Sequence, residues 1–189
     1  MNKSDVVKKI KQRKELMGLL DDLVLNILED YLKKHKIVLE NLNKRELKIV
    51  IKSLRAELRN LTGRFQKSSK KRAAMLESNK IEELLATHSS TSERQGIYPE
   101  IKKLIKSMDV HSILDLGCGL NPIALADQEI EYYASDIKED ELELVNLFFK
   151  KNNIKGRVFV YDLRKIKNDL PKTDMCIILK VMDILEKKP

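Results

Sequence analysis

The residues best placed to do chemistry run from Ile113 to Pro122, I-L-D-L-G-C-G-L-N-P. A short apolar run, Ser112 to Leu116, carries an acid at Asp115 and breaks into Gly117-Cys118-Gly119. Asn121-Pro122 behind it is a helix-start signal. A strand that ends in a glycine turn and opens a helix is how a parallel α/β sheet holds a nucleotide-like ligand at its strand tips. Glycine at such a turn leaves room for close approach, because a Cβ would collide. A second apolar run, Ile130 to Ile137, ends at Asp136, 21 residues after Asp115. An acid at about that distance commonly takes a ribose diol.

Two more strands are expected, Arg157 to Tyr161, ending at Asp162-Leu163, and Met175 to Val181. Acids thus recur at successive strand ends. The third glycine of the dinucleotide pattern is absent, since Pro122 stands in its place, and no G-K-[ST] phosphate loop follows. A site that need not grip phosphate favours S-adenosylmethionine over NAD or ATP. The alternative is a ligand-free α/β domain whose acids only cap turns. Cys118 and Cys176 have no metal-ligand spacing, and no metal site is expected. Cys118 reads as a small filler of the turn, and Cys176 as a core residue of the fourth strand.

These residues need a scaffold, and charge divides the chain in two. Residues 1–90 hold 21 Lys and Arg against 12 Asp and Glu, while the remainder holds 16 against 17. A basic half beside a near-neutral ligand half suggests a module that faces a polyanion. The alternative is a solvated Lys/Glu-rich surface. Up to about residue 87 there is no proline and the only glycines are Gly18 and Gly63, so helices are expected. Asn43 followed by Glu46 forms a reciprocal cap signature. Behind it Leu47, Val50, Ile51, Leu54, Leu58 and Leu61 recur at three- and four-residue spacing. Candidate nucleic-acid backbone contacts are Lys52, Arg55, Arg59, Arg64, Lys67, Lys70, Lys71 and Arg72. One further helix is expected from about Ser69 to Ala86. The stretch from His88 to Arg94, H-S-S-T-S-E-R, joins the halves. It reads either as a carboxylate-binding segment through Arg94 or as the capped start of the next helix. The expected organisation is a basic helical domain over 1–87 that faces a nucleic-acid backbone and a ligand-binding α/β domain over 88–189. The N-terminus carries no apolar signal core and no run approaches membrane-spanning length, so a cytoplasmic protein with no membrane partner is expected.

The segments H-S-S-T-S-E-R at 88–94, L-D-L-G-C-G-L-N-P-I-A-L at 114–125, Asp136-Ile137, Asp162-Leu163 and L-K-V-M-D-I-L-E at 179–186 together resemble the aminoglycoside-resistance 16S ribosomal RNA (guanine-N7) methyltransferases. The helix from Lys44 to Phe65, ending L-T-G-R-F, resembles more loosely the basic helix of that family's RNA-binding bundle. The resemblance implies an α/β fold, a helical bundle followed by a Rossmann-like class I methyltransferase sheet. It implies S-adenosylmethionine as cofactor and ribosomal RNA or the small ribosomal subunit as partner. By position, Arg94 would hold the methionine carboxylate, with Asp115, Gly117, Gly119 and Asn121 around the cofactor. Asp136 would take the ribose hydroxyls, Asp162 the adenine amino group, and Ile137 and Leu163 would wall the ring. Lys180 would face the target nucleotide, with no general base needed, because guanine N7 carries a free lone pair. The family sheet has seven strands and this chain shows about four, so an incomplete sheet lacking the C-terminal part is expected. Two other readings stay open. One is a small-molecule methyltransferase, and the other a non-catalytic RNA-binding relic or fragment.

Overall fold

The computed structural model describes residues 2–62, 69–165, 169–179 and 181. The chain forms two compact units, Met1–Arg64 and Phe65–Pro189.

The first unit is helical. Helices α1 (Lys3–Lys11), α2 (Asp21–Lys34) and α3 (Lys44–Thr62) pack pairwise, with single 3-10 turns at Lys14–Leu16 and Leu39–Asn41. Val6, Ile10, Leu16, Val24, Leu28, Leu54 and Leu58 are fully buried. The spacing of Val50, Ile51, Leu54 and Leu58 places them on one face of α3, while Lys44, Lys48 and Lys52 stay exposed. The cap read from sequence forms as expected. Asn43 Oδ1 accepts from Arg45 N and Glu46 N, and Glu46 Oε2 accepts from Asn43 N, all at 2.9–3.0 Å.

The second unit carries a parallel four-stranded sheet in the order β3-β2-β1-β4. The strands are β1 (Ser112–Leu116), β2 (Glu131–Asp136), β3 (Gly156–Val160) and β4 (Met175–Ile177). Register pairs Asp115 with Ala134 across β1 and β2, and with Ile177 across β1 and β4. Asp174 fastens the start of β4 to the start of β1, accepting from His111 N, Ser112 N and Ser112 Oγ at 2.8–3.0 Å. Helix α9 (Glu139–Asn152) packs on β2 and β3 through Leu142, Val145, Phe148 and Phe149. Its first turn is acidic and its last turn basic, which complements the helix dipole. Asn153, in the left-handed region at φ 53°, ends it.

Two expectations about the elements change. The segment over 69–86 is not one helix but two, α4 (Ser69–Glu77) and α5 (Ile81–Leu85). Asn79 takes a left-handed φ of 55°, and Lys80 N–H returns to Met75 O at 2.8 Å, which closes the first helix. Both helices belong with the sheet and not with the basic bundle. Leu76, Leu84 and Leu85 join the core formed by Ile113, Leu120, Tyr132 and α9, so the chain divides at 64/65 where the sequence suggested 87/88. Apolar burial decides this, and net charge carries no information about it.

Candidate functional site

The linker over 88–94 is helical, α6 (Ser89–Arg94), and leads through a 3-10 turn into α7 (Tyr98–Ser107), which has Pro99 in its first turn. α8 (Asn121–Leu125) opens directly behind the glycine turn. These elements bring Arg94, Asp115 and Asn121 together. Arg94 Nη2 donates to Asn121 Oδ1 at 2.9 Å and to Ser90 Oγ at 3.2 Å, while Tyr98 Oη donates to the same Asn121 oxygen at 2.8 Å. Asp115 is fully buried and accepts from Tyr132 Oη at 2.9 Å. The Asn121 amide faces Asp115 without closing a hydrogen bond of normal geometry.

Three buried atoms here have no partner among the described residues: Arg94 Nε, Asp115 Oδ1 and Asn121 Nδ2. Orphaned buried polar atoms are costly, and three at one place call for a polar ligand. One is a carboxylate oxygen and two are N–H donors, a set that suits an ammonium and a carboxylate held side by side. Burial raises the Asp115 pKa to about 7; the negative charge of Asp136 adds to this and the Tyr132 hydroxyl opposes it. A cationic ligand group would restore its ionised form.

Asp136 ends β2 and steadies the turn. Its Oδ2 accepts from Gly119 N at 2.9 Å, and its Oδ1 from Ile137 N at 2.7 Å and Lys138 N at 3.1 Å. Burial and nearby Glu141 raise its pKa to about 6, against those hydrogen bonds. Ile137 is half-buried beside it. Gly117 and Gly119 both sit at positive φ, 68° and 50°. Their missing side chains leave room first for the protein itself. A Cβ on Gly117 would lie 2.3 Å from Val181 Cγ2, and one on Gly119 3.1 Å from His88 Cε1. The glycines were expected to clear space for a ligand, and at these positions they clear it for Val181 and His88. Cys118 is buried and its thiol is held protonated, first by burial and then by the surrounding carboxylates, in keeping with a filler role.

Asp162 lies past β3. Arg164 grips both its oxygens, Nε to Oδ1 at 2.9 Å and Nη2 to Oδ2 at 2.7 Å. Partial burial alone would raise its pKa, but these bonds hold it below the usual carboxylate value. Leu163 packs beside Leu114, Leu116 and Tyr161. Lys180, Arg64 and Lys67 lie outside the described residues, as does the side chain of Lys70.

Among the basic candidates, Lys52 and Lys71 are exposed. Arg72 is not an RNA contact. It is 2% exposed and donates from Nε to Thr87 Oγ1 at 2.8 Å and from Nη2 to Thr87 O at 3.1 Å, and it lies 3.5 Å from Glu141 Oε1. Arg55 donates to the carbonyls of Lys9 and Ile10 and so caps α1. Arg59 is paired with Glu15 at 3.4 Å. Cys176, expected in the core, is exposed on β4. Sequence reasoning missed Glu141, 1% exposed among Arg72, His88 and Lys138, and no local signal marks it in a helix start rich in acids. Among the described residues no group of His, Cys, Asp and Glu has the form of a metal site, and no helix is long and apolar enough to cross a membrane.

A family described as "Ribosomal RNA methyltransferase (FmrO)" matches residues 34–189. The chain belongs to this family. A 16S rRNA (guanine(1405)-N(7))-methyltransferase of Serratia marcescens is 26% identical over 194 residues, covering all of this chain and 72% of that protein. The enzyme of the same name from Micromonospora echinospora is 33% identical over 111 residues, or 54% of this chain and 39% of that one. The 16S rRNA methyltransferase RmtF, solved with S-adenosyl-L-homocysteine, superposes with a TM-score of 0.79 at 23% identity, over 98% of this chain and 73% of RmtF. That likeness establishes the fold. The family member described here thus spans between about two fifths and three quarters of these relatives' lengths.

Proposed function

We propose that the chain binds S-adenosylmethionine at the tips of β1 and β2 and belongs to an enzyme that methylates a guanine N7 of small-subunit ribosomal RNA. The observation that carries this is the trio of orphaned buried atoms. Arg94 Nε and Asn121 Nδ2 offer donors to the methionine carboxylate, and Asp115 Oδ1 offers an acceptor to its ammonium. Asp136, already fixed by three backbone N–H groups, keeps lone pairs for the ribose hydroxyls. Asp162 would serve the adenine amino group once Arg164 lets go of one oxygen. When bound, the cofactor supplies an electrophilic methyl group on a sulfonium. The protein's part is alignment and exclusion of water. Exposed lysines of α3 would lie along the RNA backbone, giving residues 1–64 the RNA-binding role and the sheet unit the cofactor role. Such an enzyme works where ribosomes are, in the cytoplasm.

The test is calorimetric titration of S-adenosylhomocysteine into the wild type and Asp136→Ala. Saturable binding to the wild type that the substitution weakens by at least tenfold is expected. A folded wild type that takes up no heat-producing ligand sinks the cofactor reading. Methyl transfer to small ribosomal subunits, read by mapping N7-methylguanine, then tests the substrate.

A further inference from the structure

The mechanism above leaves His88 unused, yet its ring occupies a junction of the site. Nδ1 lies 3.0 Å from Ser90 Oγ, in the same helix turn as Arg94. Nε2 lies 3.6 Å from Glu141 Oε2. The ring edge also abuts Gly119, where a Cβ would fall 3.1–3.2 Å from Cε1 and Nε2. Gly119 in turn donates to Asp136. Glu141 is held from the other side by Arg72 on α4 and Lys138 ahead of α9. We propose that His88 is a positioning residue of the cofactor site, a strut seated on Glu141 that presses Gly119 onto Asp136. The inference rests on the cofactor reading above, and it assigns His88 no contact with the ligand.

Two halves of the imidazole make separable contacts, which gives a test beyond folding. In His88→Gln the terminal amide takes the place of Nε2, so contact with Gly119 and Glu141 survives. In His88→Asn the amide takes the place of Nδ1, so only Ser90 is served. Affinity for S-adenosylhomocysteine is measured by calorimetry for the wild type, His88→Gln, His88→Asn and His88→Ala, with a thermal melt on each. Groups that orient the ligands of a metal are worth roughly tenfold or more in affinity, and we take the same scale for a residue that orients Asp136. We expect that loss in His88→Ala and His88→Asn, and binding within about threefold of wild type in His88→Gln. A role confined to folding would track the melting temperatures and would not separate Gln from Asn at equal stability. If His88→Ala does not fold, the Gln and Asn pair still decides. Wild-type affinity in His88→Ala, or rescue by Asn and not by Gln, overturns the proposal while leaving the cofactor site intact. A wild type that binds nothing removes both.

Discussion

Asp115 is fully buried and Asp136 half-buried, and this fixes how the unliganded protein responds to pH. Their pKa values are raised to about 7 and about 6, chiefly by burial. Between the ordinary carboxylate range and pH 7 the native state therefore holds protons that the unfolded chain has released. Stability rises as pH falls through that window, and the gain is absent above it. His88 works in the opposite direction. Burial lowers its pKa despite Glu141, so below 6.5 the unfolded chain takes up that proton first. Glu141 and Asp162 are shifted downward, and their windows lie below those of Asp115 and Asp136. Burial raises Asp140 as well, so the raised acids outnumber the one imidazole and the native state takes up net protons across the window. Urea unfolding at pH 7.5, 6.5 and 5.5 should show stability increasing toward pH 5.5, and Asp115→Asn should flatten most of the slope. Stability that instead falls steadily from pH 7.5 to 5.5 would contradict the buried-acid account. These acids were legible in the sequence because each stands at or next to the end of a short apolar run. The His88–Glu141 contact was not, because only the tertiary fold brings these sequence-distant residues together.

Helix α3 begins where a short polar signal places it. The Asn43–Glu46 pair satisfies three backbone N–H groups that a helix start leaves without partners. Asn43→Ala should cost about 1 kcal/mol, read as a lower urea midpoint with an unchanged slope. A loss below about 0.3 kcal/mol would mean that water replaces the cap fully. Signals of this kind made several elements legible. β1 has the bounds its apolar run gave it, and β2 and β3 differ by one residue at their ends. β4 stops at Ile177, short of the apolar run that extends to Val181. The segment over 69–86 was misread for a different reason. Met75, Leu76, Ile81, Leu84 and Leu85 keep a helical rhythm straight through the break, and Asn79 supplies a left-handed turn without a glycine or proline to announce it. The same apolar residues face the sheet-side core, so their assignment to the basic bundle failed with the helix count.

At the scale of the whole molecule the question is which positive charges are free to meet a phosphate backbone. The chain carries a net charge of +8, concentrated before residue 90, but a count of charges overstates what is available. Arg55 is spent on the carbonyls that end α1, Arg59 on Glu15, and Arg72 on Thr87 and Glu141. Lys44, Lys48 and Lys52 are exposed and recur every fourth residue along α3, which sets them in a row on one side of that helix. Two kinds of variant should therefore separate. Lys44→Gln, Lys48→Gln and Lys52→Gln together remove three phosphate partners. The slope of log affinity for ribosomal RNA against log salt should become shallower by about 2 to 3, at roughly 0.7–0.9 per contact, with the melting temperature nearly unchanged. Arg55→Gln leaves the carbonyls of Lys9 and Ile10 without their donor, so it should lower the melting temperature and leave the salt slope almost as it was. Filter-binding titrations between 50 and 200 mM salt, paired with melts, measure both. If the arginine variant shifts the slope and the lysines do not, the RNA lies along a different face of this unit. The basic character of α3 would then serve solubility, as a net charge far from zero does in any soluble domain.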